Sequence, residues 1–337
     1  MIAYNRLYNW YEANRRELPW RETTDPYKIW LSEVILQQTR VAQGMEYYLR
    51  FIAAFPTVRD LAEADEDQVM RLWQGLGYYS RARNLHKAAK LLICKFANLP
   101  NCFPRMWEEL RELPGVGDYT AGAIAAFAYN LPYPALDGNV YRVLSRLFDC
   151  EIAFDTSRGK KHFHALAEEI LDRENPRLFD SAIMELGALH CVPQAPDCVH
   201  CPLAEDCQAY RSGTVALLPV RKERPKVTER RLKYVLYLTP NRHTLIHKRT
   251  GKDIWQGLWE LVEIDAAMVP EHAIERREYK HLLSHRKLLA NFYTVLCETL
   301  PSIPDTADVA LSDLDQYGFS RLTLLYLEDN PIIHKPT

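Results

Sequence analysis

The sequence has no long apolar run and almost no net charge. None of its 337 residues lie in a stretch of about 18 uncharged apolar positions, the length that would indicate a membrane-spanning helix. The amphipathic segment 1–20 also lacks the apolar core of a signal peptide. We therefore expect a cytoplasmic, monomeric protein with no membrane partner, whose eight cysteines do not form a disulfide framework.

A basic surplus is missing as well, because the formal net charge is −2. Any binding to nucleic acid must then come from charges segregated along the chain. The segment Arg221–Lys233 carries seven basic and two acidic residues. Such a run is also typical of a solvated linker. The length allows two or three domains, and 47% apolar with 26% charged residues is an ordinary globular composition.

The periodicity changes along the chain and predicts two kinds of structure. The first two-thirds show apolar residues at helical spacing and no convincing strand before about residue 215. From about residue 230, alternating segments predict an α+β domain. Its expected strands are Tyr234–Leu238, Thr244–His247, Trp259–Ile264 and Leu288–Cys297, and its expected helix is Ala273–Lys280.

The segment Leu113–Arg142 combines a glycine turn with a downstream acid. Gly115 and Gly117 can adopt positive φ and leave backbone N–H groups free at a helix N-terminus, where a phosphate is stabilised. Asp137 follows about twenty residues later. The pattern indicates a DNA clamp beside a catalytic acid. A structural helix–turn–helix with a capping aspartate explains it about equally well.

Two further acids lie among apolar neighbours. Asp25 and Pro26 begin a predicted helix in which Glu33 is the only acid. Desolvation favours the protonated form of such a group, as a general acid near neutral pH requires. The alternative is a Glu paired with a buried Arg. Glu185 is the second embedded acid.

A glycine-containing turn carries exposed apolar candidates. Leu76 and Tyr78 follow Gly75 and Gly77, respectively, and apolar side chains on such a loop suit insertion between DNA bases. A helix–helix corner packed by its own aromatics is the more common explanation of this pattern.

Four cysteines form the strongest single motif. Cys191, Cys198, Cys201 and Cys207 have C-x6-C-x2-C-x5-C spacing. Four thiolates so close together suit a metal centre, either tetrahedral zinc or a [4Fe–4S] cluster. Zinc sites usually contain two C-x2-C pairs, whereas this segment contains one, so the spacing favours iron–sulfur.

These motifs occur together in one order. The chain resembles the MutY-type adenine DNA glycosylase family of the helix-hairpin-helix superfamily. The resemblance is carried by the segments LPGVGDYTAGAI, LDGNV, SEVILQQTRV and GLGYYSRARNL and by the cysteine loop. The resemblance covers nearly the whole chain. It implies an all-α helix-hairpin-helix glycosylase fold with a [4Fe–4S] loop, followed by a separate α+β Nudix-like domain. The implied domains are 1–25 with 131–215, then 26–130, a linker at 216–231, and 232–337.

The resemblance also implies a reaction and a site. The expected enzyme is an adenine-specific DNA glycosylase of base excision repair that acts on duplex DNA with adenine opposite 8-oxoguanine or guanine, flipping the adenine and hydrolysing its N-glycosidic bond. One [4Fe–4S] cluster is the implied cofactor, held by the four cysteines. The implied catalytic residues are Glu33, Tyr119, Asp137, Asn139 and Glu185, and the implied DNA contacts are Arg21, Gln38, Thr39, Leu76, Tyr78, Gly115, Val116 and Gly117.

Two departures refine this expectation. Bifunctional relatives carry a Lys at the position of Tyr119, and a phenol cannot form a Schiff base, so we expect a monofunctional glycosylase. No acid-rich Nudix helix follows Trp259–Ile264, so the C-terminal domain is expected to recognise 8-oxoguanine rather than hydrolyse nucleotides. The matching tripeptide is Leu283-Ser284-His285, in which Leu replaces the family's Phe.

Other functions fit part of the pattern. An endonuclease III-like lyase is opposed by Tyr119 and by the additional C-terminal domain. A non-catalytic iron–sulfur DNA-binding protein is opposed only by the embedded Glu33 and the placement of Asp137. A helical scaffold with structural zinc would be colourless when purified.

Overall fold

The computed structural model describes residues 3–223, 227–265, 267–268, 270–283 and 286–334. The chain divides into two compact units, one of Met1–Gln38 with Leu91–Arg224 and the other of Thr39–Lys90 with Pro225–Thr337. Each unit therefore combines segments that are distant in sequence.

The helices and strands follow the predicted change of pattern between about residues 215 and 230, with the first strand beginning at Thr228. The helices are α1 (Tyr4–Asn14), α2 (Pro26–Leu36), α3 (Val41–Ala54), α4 (Val58–Glu63), α5 (Glu66–Leu72), α6 (Ser80–Lys95), α7 (Trp107–Arg111), α8 (Asp118–Tyr129), α9 (Gly138–Leu147), α10 (Ser157–Ile170), α11 (Pro176–Leu189), α12 (Gln208–Ser212), α13 (Arg321–Asp329) and α14 (Pro331–His334). The strands are β1 (Thr228–Leu238), β2 (His243–Lys248), β3 (Trp259–Glu263), β4 (Ala273–Leu282), β5 (Arg286–Leu296) and β6 (Thr306–Ala310).

In the first unit, α1, α9, α10 and α11 form a helical core. Leu7, Leu144, Phe163 and Leu186 are among its fully buried side chains, contributed by α1, α9, α10 and α11. Cys191, Cys201 and Cys207 pack against the same core. The cysteine loop is thus continuous with the helices that precede it.

The C-terminal segment of the second unit is a six-stranded sheet in the order β4-β5-β1-β3-β2-β6. β1 and β5 are parallel, and the other neighbours are antiparallel. Phe292 lies at the centre of its core, stacked on Tyr326 with ring centroids 4.6 Å apart and on Tyr234 at 5.0 Å. The helical domain followed by a separate sheet-containing domain confirms the expected fold class.

One predicted element is wrong. The segment Ala273–Lys280, which the sequence pattern predicts as a helix, lies within strand β4. Its residues alternate between half-buried and exposed along the whole strand, and they pair antiparallel with β5. Pairing with a neighbouring strand outweighs local helix propensity here.

No helix in the part of the chain that the structure describes is long and apolar enough to cross a membrane.

Candidate active site

Glu33 lies on a helix that is buried nearly all round. Asp25 caps α2 by accepting a 2.9 Å hydrogen bond from the Tyr27 N–H, and Pro26 occupies the first turn, as the sequence predicts. The Glu33 side chain is held in this helix with only 8% of the residue exposed. Burial raises the pKa of Glu33 to about 7, and the charge of Asp137 contributes to the increase.

Tyr119 is the direct partner of that carboxyl. Its hydroxyl donates a 2.5 Å hydrogen bond to Oε2 of Glu33, from the first turn of α8. This bond opposes the effect of burial and lowers the pKa of Glu33. Burial and the nearby carboxylates raise the pKa of Tyr119 well above its ordinary value, so the phenol stays protonated and remains a donor.

Asp137 is held as an acceptor at the start of α9. Its Oδ1 accepts 2.8 Å hydrogen bonds from the backbone N–H groups of Asn139 and Val140, which makes it the helix N-cap. Its Oδ2 accepts a 2.7 Å bond from Nδ2 of Asn139. Burial raises the pKa of Asp137, whereas these donors and the charge of Arg142 lower it. The capping role and the catalytic role proposed from sequence are therefore compatible.

Arg142 joins Asp137 to the cysteine loop, and the sequence did not single it out. One terminal nitrogen, Nη2, donates to Oδ1 of Asn139 at 2.9 Å and to the carbonyl of Gly187 at 2.6 Å. Its Nε donates to the carbonyl of Cys191 at 2.7 Å. A continuous path of hydrogen bonds thus connects Asp137, Asn139, Arg142 and the first cysteine.

Glu185 is committed to two arginines. Its oxygens accept bonds from the Arg16 backbone N–H and Nε at 2.9 Å each, and from Nη2 of Arg16 and of Arg21 at 2.6 Å each. The residue is fully buried, and these donors lower the pKa of Glu185 to about 2 despite its burial. Glu185 is therefore a permanent carboxylate, and the Arg21 guanidinium is directed at it. Arg16 was not recognised from sequence.

Asp180 is a second group that the sequence did not reveal. It is 1% exposed, its Oδ1 accepts a 3.4 Å bond from the Ala135 N–H, and its Oδ2 has no hydrogen-bond partner among the described residues. Burial raises the pKa of Asp180 well above its usual range, which favours the neutral acid.

The glycines of this turn are exposed, but only one of the two has a positive φ. Gly115 has φ of 79° and is exposed, but Gly117 has φ of −95°, so only the first of the two uses the left-handed region. Gly117 caps α8, and a Cβ built on it would meet no atom within 4 Å. Val116 is 7% exposed and anchors the turn.

The loop after α5 is fixed by its own contacts. Trp73 Nε1 donates to the carbonyl of Gly77 at 3.0 Å, and Arg81 Nη2 donates to the carbonyls of Leu76 and Gly77 at 3.3 and 3.2 Å. Tyr78 has φ of 47° and is 45% exposed, whereas Leu76 is 7% exposed. Tyr78 is thus the side chain that this loop presents.

The remaining sequence-predicted DNA contacts flank the end of α2. Gln38 is exposed and has φ of 56°, an unusual conformation for a residue with a side chain. Thr39 accepts a 3.5 Å bond from Arg81. Leu283 is partly buried against the sheet core, and Ser284 and His285 lie outside the described residues.

The four cysteines line a single cavity of about 310 Å³, a volume that includes its open side. No three of the described His, Cys, Asp and Glu side chains converge as they would on a single ion. A [4Fe–4S] cluster takes one thiolate per iron, and four cysteines around one cavity provide that number of donors. Burial raises the pKa of Cys201 to about 12 and also raises the pKa of Cys207, so binding as thiolates needs compensating positive charge. The donor set fits an iron–sulfur cluster.

Comparison with known proteins agrees with this geometry. Residues 31–171 match the model of the HhH-GPD superfamily base excision DNA repair proteins, and residues 233–329 match the NUDIX domain model. A solved thermostable thymine-DNA glycosylase superposes with a TM-score of 0.56 at 26% identity, covering 62% of this chain and 94% of that one.

Several relatives of similar sequence are adenine DNA glycosylases. The protein from Buchnera aphidicola subsp. Baizongia pistaciae is 33% identical over 86% of this chain and 85% of its own length. That from Schizosaccharomyces pombe is 32% identical over 94% of this chain and 87% of its own. The rat protein is 41% identical over 65% of this chain, which spans 44% of that protein. With its buried acid–phenol pair, helix-capping aspartate and cysteine-lined cavity, the chain belongs to the adenine DNA glycosylase family.

Proposed function

We propose that this protein removes adenine from duplex DNA where it stands opposite 8-oxoguanine or guanine, by hydrolysing the N-glycosidic bond. The observation that carries the proposal is the buried Glu33 carboxyl, which accepts a hydrogen bond from the Tyr119 hydroxyl. Burial and the charge of Asp137 raise its pKa to about 7. Glu33 provides a proton donor, and the N–H donors on Asp137 favour its anion against burial, which raises the pKa of that carboxyl too.

In the proposed reaction, protonated Glu33 transfers its proton to N7 of the flipped adenine. The bond between the sugar C1′ and adenine N9 breaks, its electron pair leaves with the base, and positive charge develops on the sugar. Water then adds to C1′ and returns a proton to the Glu33 carboxylate, so the enzyme is regenerated. A positioned general acid of this type contributes about 10²- to 10⁴-fold to the rate.

Asp137 provides the negative charge opposite the developing cation. Its three N–H donors and the N-terminus of α9 stabilise the ionised form, and they fix its direction before the reaction starts. Asn139 acts as a positioning residue, because it binds Asp137 through its Nδ2 and Arg142 through its Oδ1.

Glu185 has a positioning role rather than a role in proton transfer. A carboxylate with a pKa of about 2 and bonds to two arginines cannot donate a proton near neutral pH. It holds Arg21, whose positive charge lowers the pKa of Glu33 and so limits the effect of burial.

Tyr119 supports hydrolysis without strand cleavage. Its hydroxyl is committed to Glu33, and no amine is supplied at that position for attack on the sugar. The proposed enzyme is therefore monofunctional.

The DNA contacts proposed for this activity are spread over three segments. Gly115, Val116 and Gly117 bind a phosphate through backbone N–H groups. Gln38, Thr39, Leu76 and Tyr78 occupy the space left by the flipped base. The tripeptide Leu283-Ser284-His285 of the C-terminal domain reads the opposite 8-oxoguanine.

We also propose that Cys191, Cys198, Cys201 and Cys207 hold one [4Fe–4S] cluster, which fixes the loop 191–207 against the helical core. Arg146 supports this assignment, because its Nη1 lies 3.3 Å from Sγ of Cys191 and complements thiolate charge. A brown protein with visible charge-transfer absorption and four irons per chain is expected; a colourless zinc protein would contradict it.

Single-turnover base release tests the function directly. Duplexes with adenine opposite 8-oxoguanine, guanine and thymine are incubated with an excess of enzyme, with Glu33→Gln as the matched variant. We expect fast release for the first, slower release for the second and little for the third, with release by Glu33→Gln reduced by at least about 10²-fold and mismatch affinity retained. Equal release from all three duplexes would contradict the proposed role of the C-terminal domain.

A further inference from the structure

The helical segment that carries Leu76 and Tyr78 is bonded directly to the sheet domain. Gln74 starts this loop, and its Oε1 accepts a 2.9 Å hydrogen bond from the backbone N–H of Phe319. The carbonyl of the same Gln74 accepts a 2.7 Å bond from the Tyr47 hydroxyl. The residue is thus held at its side chain by the C-terminal domain and at its backbone by α3.

Two more polar contacts join the same surfaces. Nζ of Lys248, the last residue of β2, lies 2.7 Å from Oδ1 of Asp67 in the first turn of α5. The guanidinium of Arg83 on α6 donates to the carbonyl of Gln256. We call the three contacts Gln74–Phe319, Asp67–Lys248 and Arg83–Gln256 the latch.

Glycines allow the two surfaces to approach closely at the latch. A Cβ on Gly318, next to Phe319, would lie 3.4 Å from the backbone N of Arg71 in α5. A Cβ on Gly257, next to Gln256, would lie 3.3 Å from Cδ of Arg83 and 3.4 Å from Cε of Met70, at a φ of 85°. The backbone of the sheet domain therefore lies close to α5 at both points, and the positive φ of Gly257 disfavours any side chain there.

The sheet domain itself ties the two halves of the latch together. The N–H of Trp259 donates a 2.9 Å bond to the carbonyl of Gly318, and Trp259 forms a parallel bridge with Phe319. Lys248 lies over the Trp259 ring at 5.6 Å and pairs with Trp259 in the β2–β3 ladder. A displacement of β3 would therefore act on Asp67 and on Gln74 at once.

We propose that the latch is a specificity device: it couples the sheet domain to the loop of Leu76 and Tyr78, so that discrimination of the base opposite adenine depends on it. This inference rests on the proposed function, in which the sheet domain reads the opposite base and the loop enters the duplex. Gln74, Asp67 and Lys248 are positioning residues, since none of them belongs to the proposed catalytic or DNA-contacting set.

A charge swap tests the inference. Asp67→Lys and Lys248→Asp each place like charges together, and the double variant restores an opposite pair. Both side chains are about one-third exposed, so the effect on folding is small. We expect each single variant to lower the ratio of adenine release opposite 8-oxoguanine to release opposite guanine by about fivefold, and the double variant to restore it.

Arg59→Asp is the matched control. It disrupts a charge pair with Glu63, 3.8 Å away on α4 in the same helical segment, where neither partner belongs to the latch. Its ratio should equal that of the unmodified protein. The inference is overturned if the single variants keep the unmodified ratio, or if the double variant is as impaired as they are.

Amide hydrogen exchange tests the coupling without relying on activity. Gln74→Leu removes the acceptor for the Phe319 N–H, and Gln74→Glu retains one. In Gln74→Leu we expect about tenfold faster exchange at Phe319 and also at Gly75 and Leu76, with protection retained in Gln74→Glu. Unchanged exchange of Gly75 and Leu76 would overturn the inference, whereas an unmodified protein that released no adenine would overturn the proposed function instead.

Discussion

At the scale of single residues, the site depends on two carboxyls kept in different states. Burial raises the pKa of the Glu33 carboxyl to about 7, although the Tyr119 hydroxyl and the charge of Arg21 both stabilise its anion. Asp137 receives three N–H donors at a helix N-terminus, which favour its anion. Burial raises the pKa of both carboxyls, and the N–H donors on Asp137 oppose that effect more than the single Tyr119 bond does at Glu33.

Tyr119→Phe should move the alkaline limb of the pH–rate profile. The Tyr119 bond lowers the pKa of Glu33, so its removal raises that pKa further. A general acid works while protonated, and release of adenine by the unmodified protein should therefore decline as pH rises through about 7. In Tyr119→Phe this decline should occur at higher pH. Single-turnover rates measured across the pH range locate the alkaline limb of the unmodified protein and of Tyr119→Phe.

An unmoved or lowered alkaline limb in Tyr119→Phe would contradict this assignment. Glu33→Gln provides the control, because it cannot titrate and should show no such limb in its residual rate.

The sequence indicated the two acids better than it indicated their partners. Glu33 could be recognised because its neighbours in α2 are apolar, and Asp137 because it precedes an obvious helix start. Arg16 and Glu185 lie 169 residues apart, so nothing local indicated that Glu185 is a paired carboxylate. Asp180 resembles any helical aspartate until its burial is known.

At the scale of elements, the position of α9 against α11 determines where Asp137 lies. A Cβ on Gly187 of α11 would come within 2.7 Å of Cβ and 2.9 Å of the carbonyl oxygen of Asn139. The Gly187 carbonyl also accepts a bond from Arg142. The helices therefore approach each other most closely beside the residue that positions Asp137.

Gly187→Ala should impair both stability and turnover. The added methyl group must push α9 away from α11, at a cost of about 1–3 kcal/mol, and the displacement passes through Asn139 to Asp137. Thermal unfolding and single-turnover adenine release measure the two effects. Gly251→Ala is the control, since a Cβ there meets no atom within 4 Å. An unchanged melting temperature and rate in Gly187→Ala would contradict the close approach.

The elements themselves were largely predictable, and the exception is informative. Capping signals such as Asp25-Pro26 located α2, and the two zones of periodicity separated helices from strands. β4 was mistaken for a helix because its Arg, Glu and Lys have helix propensity, and only the pairing with β5 reveals the strand. A local sequence pattern does not show which strand a segment will pair with.

At the scale of the whole molecule, the chain contains separate helical and sheet cores. The helical core includes three of the four cysteines at its margin, and the sheet core is centred on Phe292. The resemblance of ordered motifs was enough to predict both domains. The grouping of residues 39–90 with the C-terminal domain was not predictable, because it depends on packing between segments far apart in sequence.

Removal of iron should destabilise one core selectively. Scanning calorimetry of the iron-loaded and iron-depleted protein should show a lower unfolding temperature, by at least about 5 °C, for the helical transition and an unchanged one for the sheet transition. Phe292→Leu should have the opposite pattern, because it opens a cavity only in the sheet core. Equal shifts of both transitions would contradict independent cores.

The surroundings of Arg146 have a consequence for biosynthesis. Its buried guanidinium donates to the carbonyls of Cys191, Val192, Pro193, Val215 and Leu218, all supplied by chain 45 to 72 residues further on. Until residue 218 leaves the ribosome, this cation lacks at least one of those acceptors. The full enclosure of Arg146 is therefore expected only late in translation, after α1–α12 have already been made.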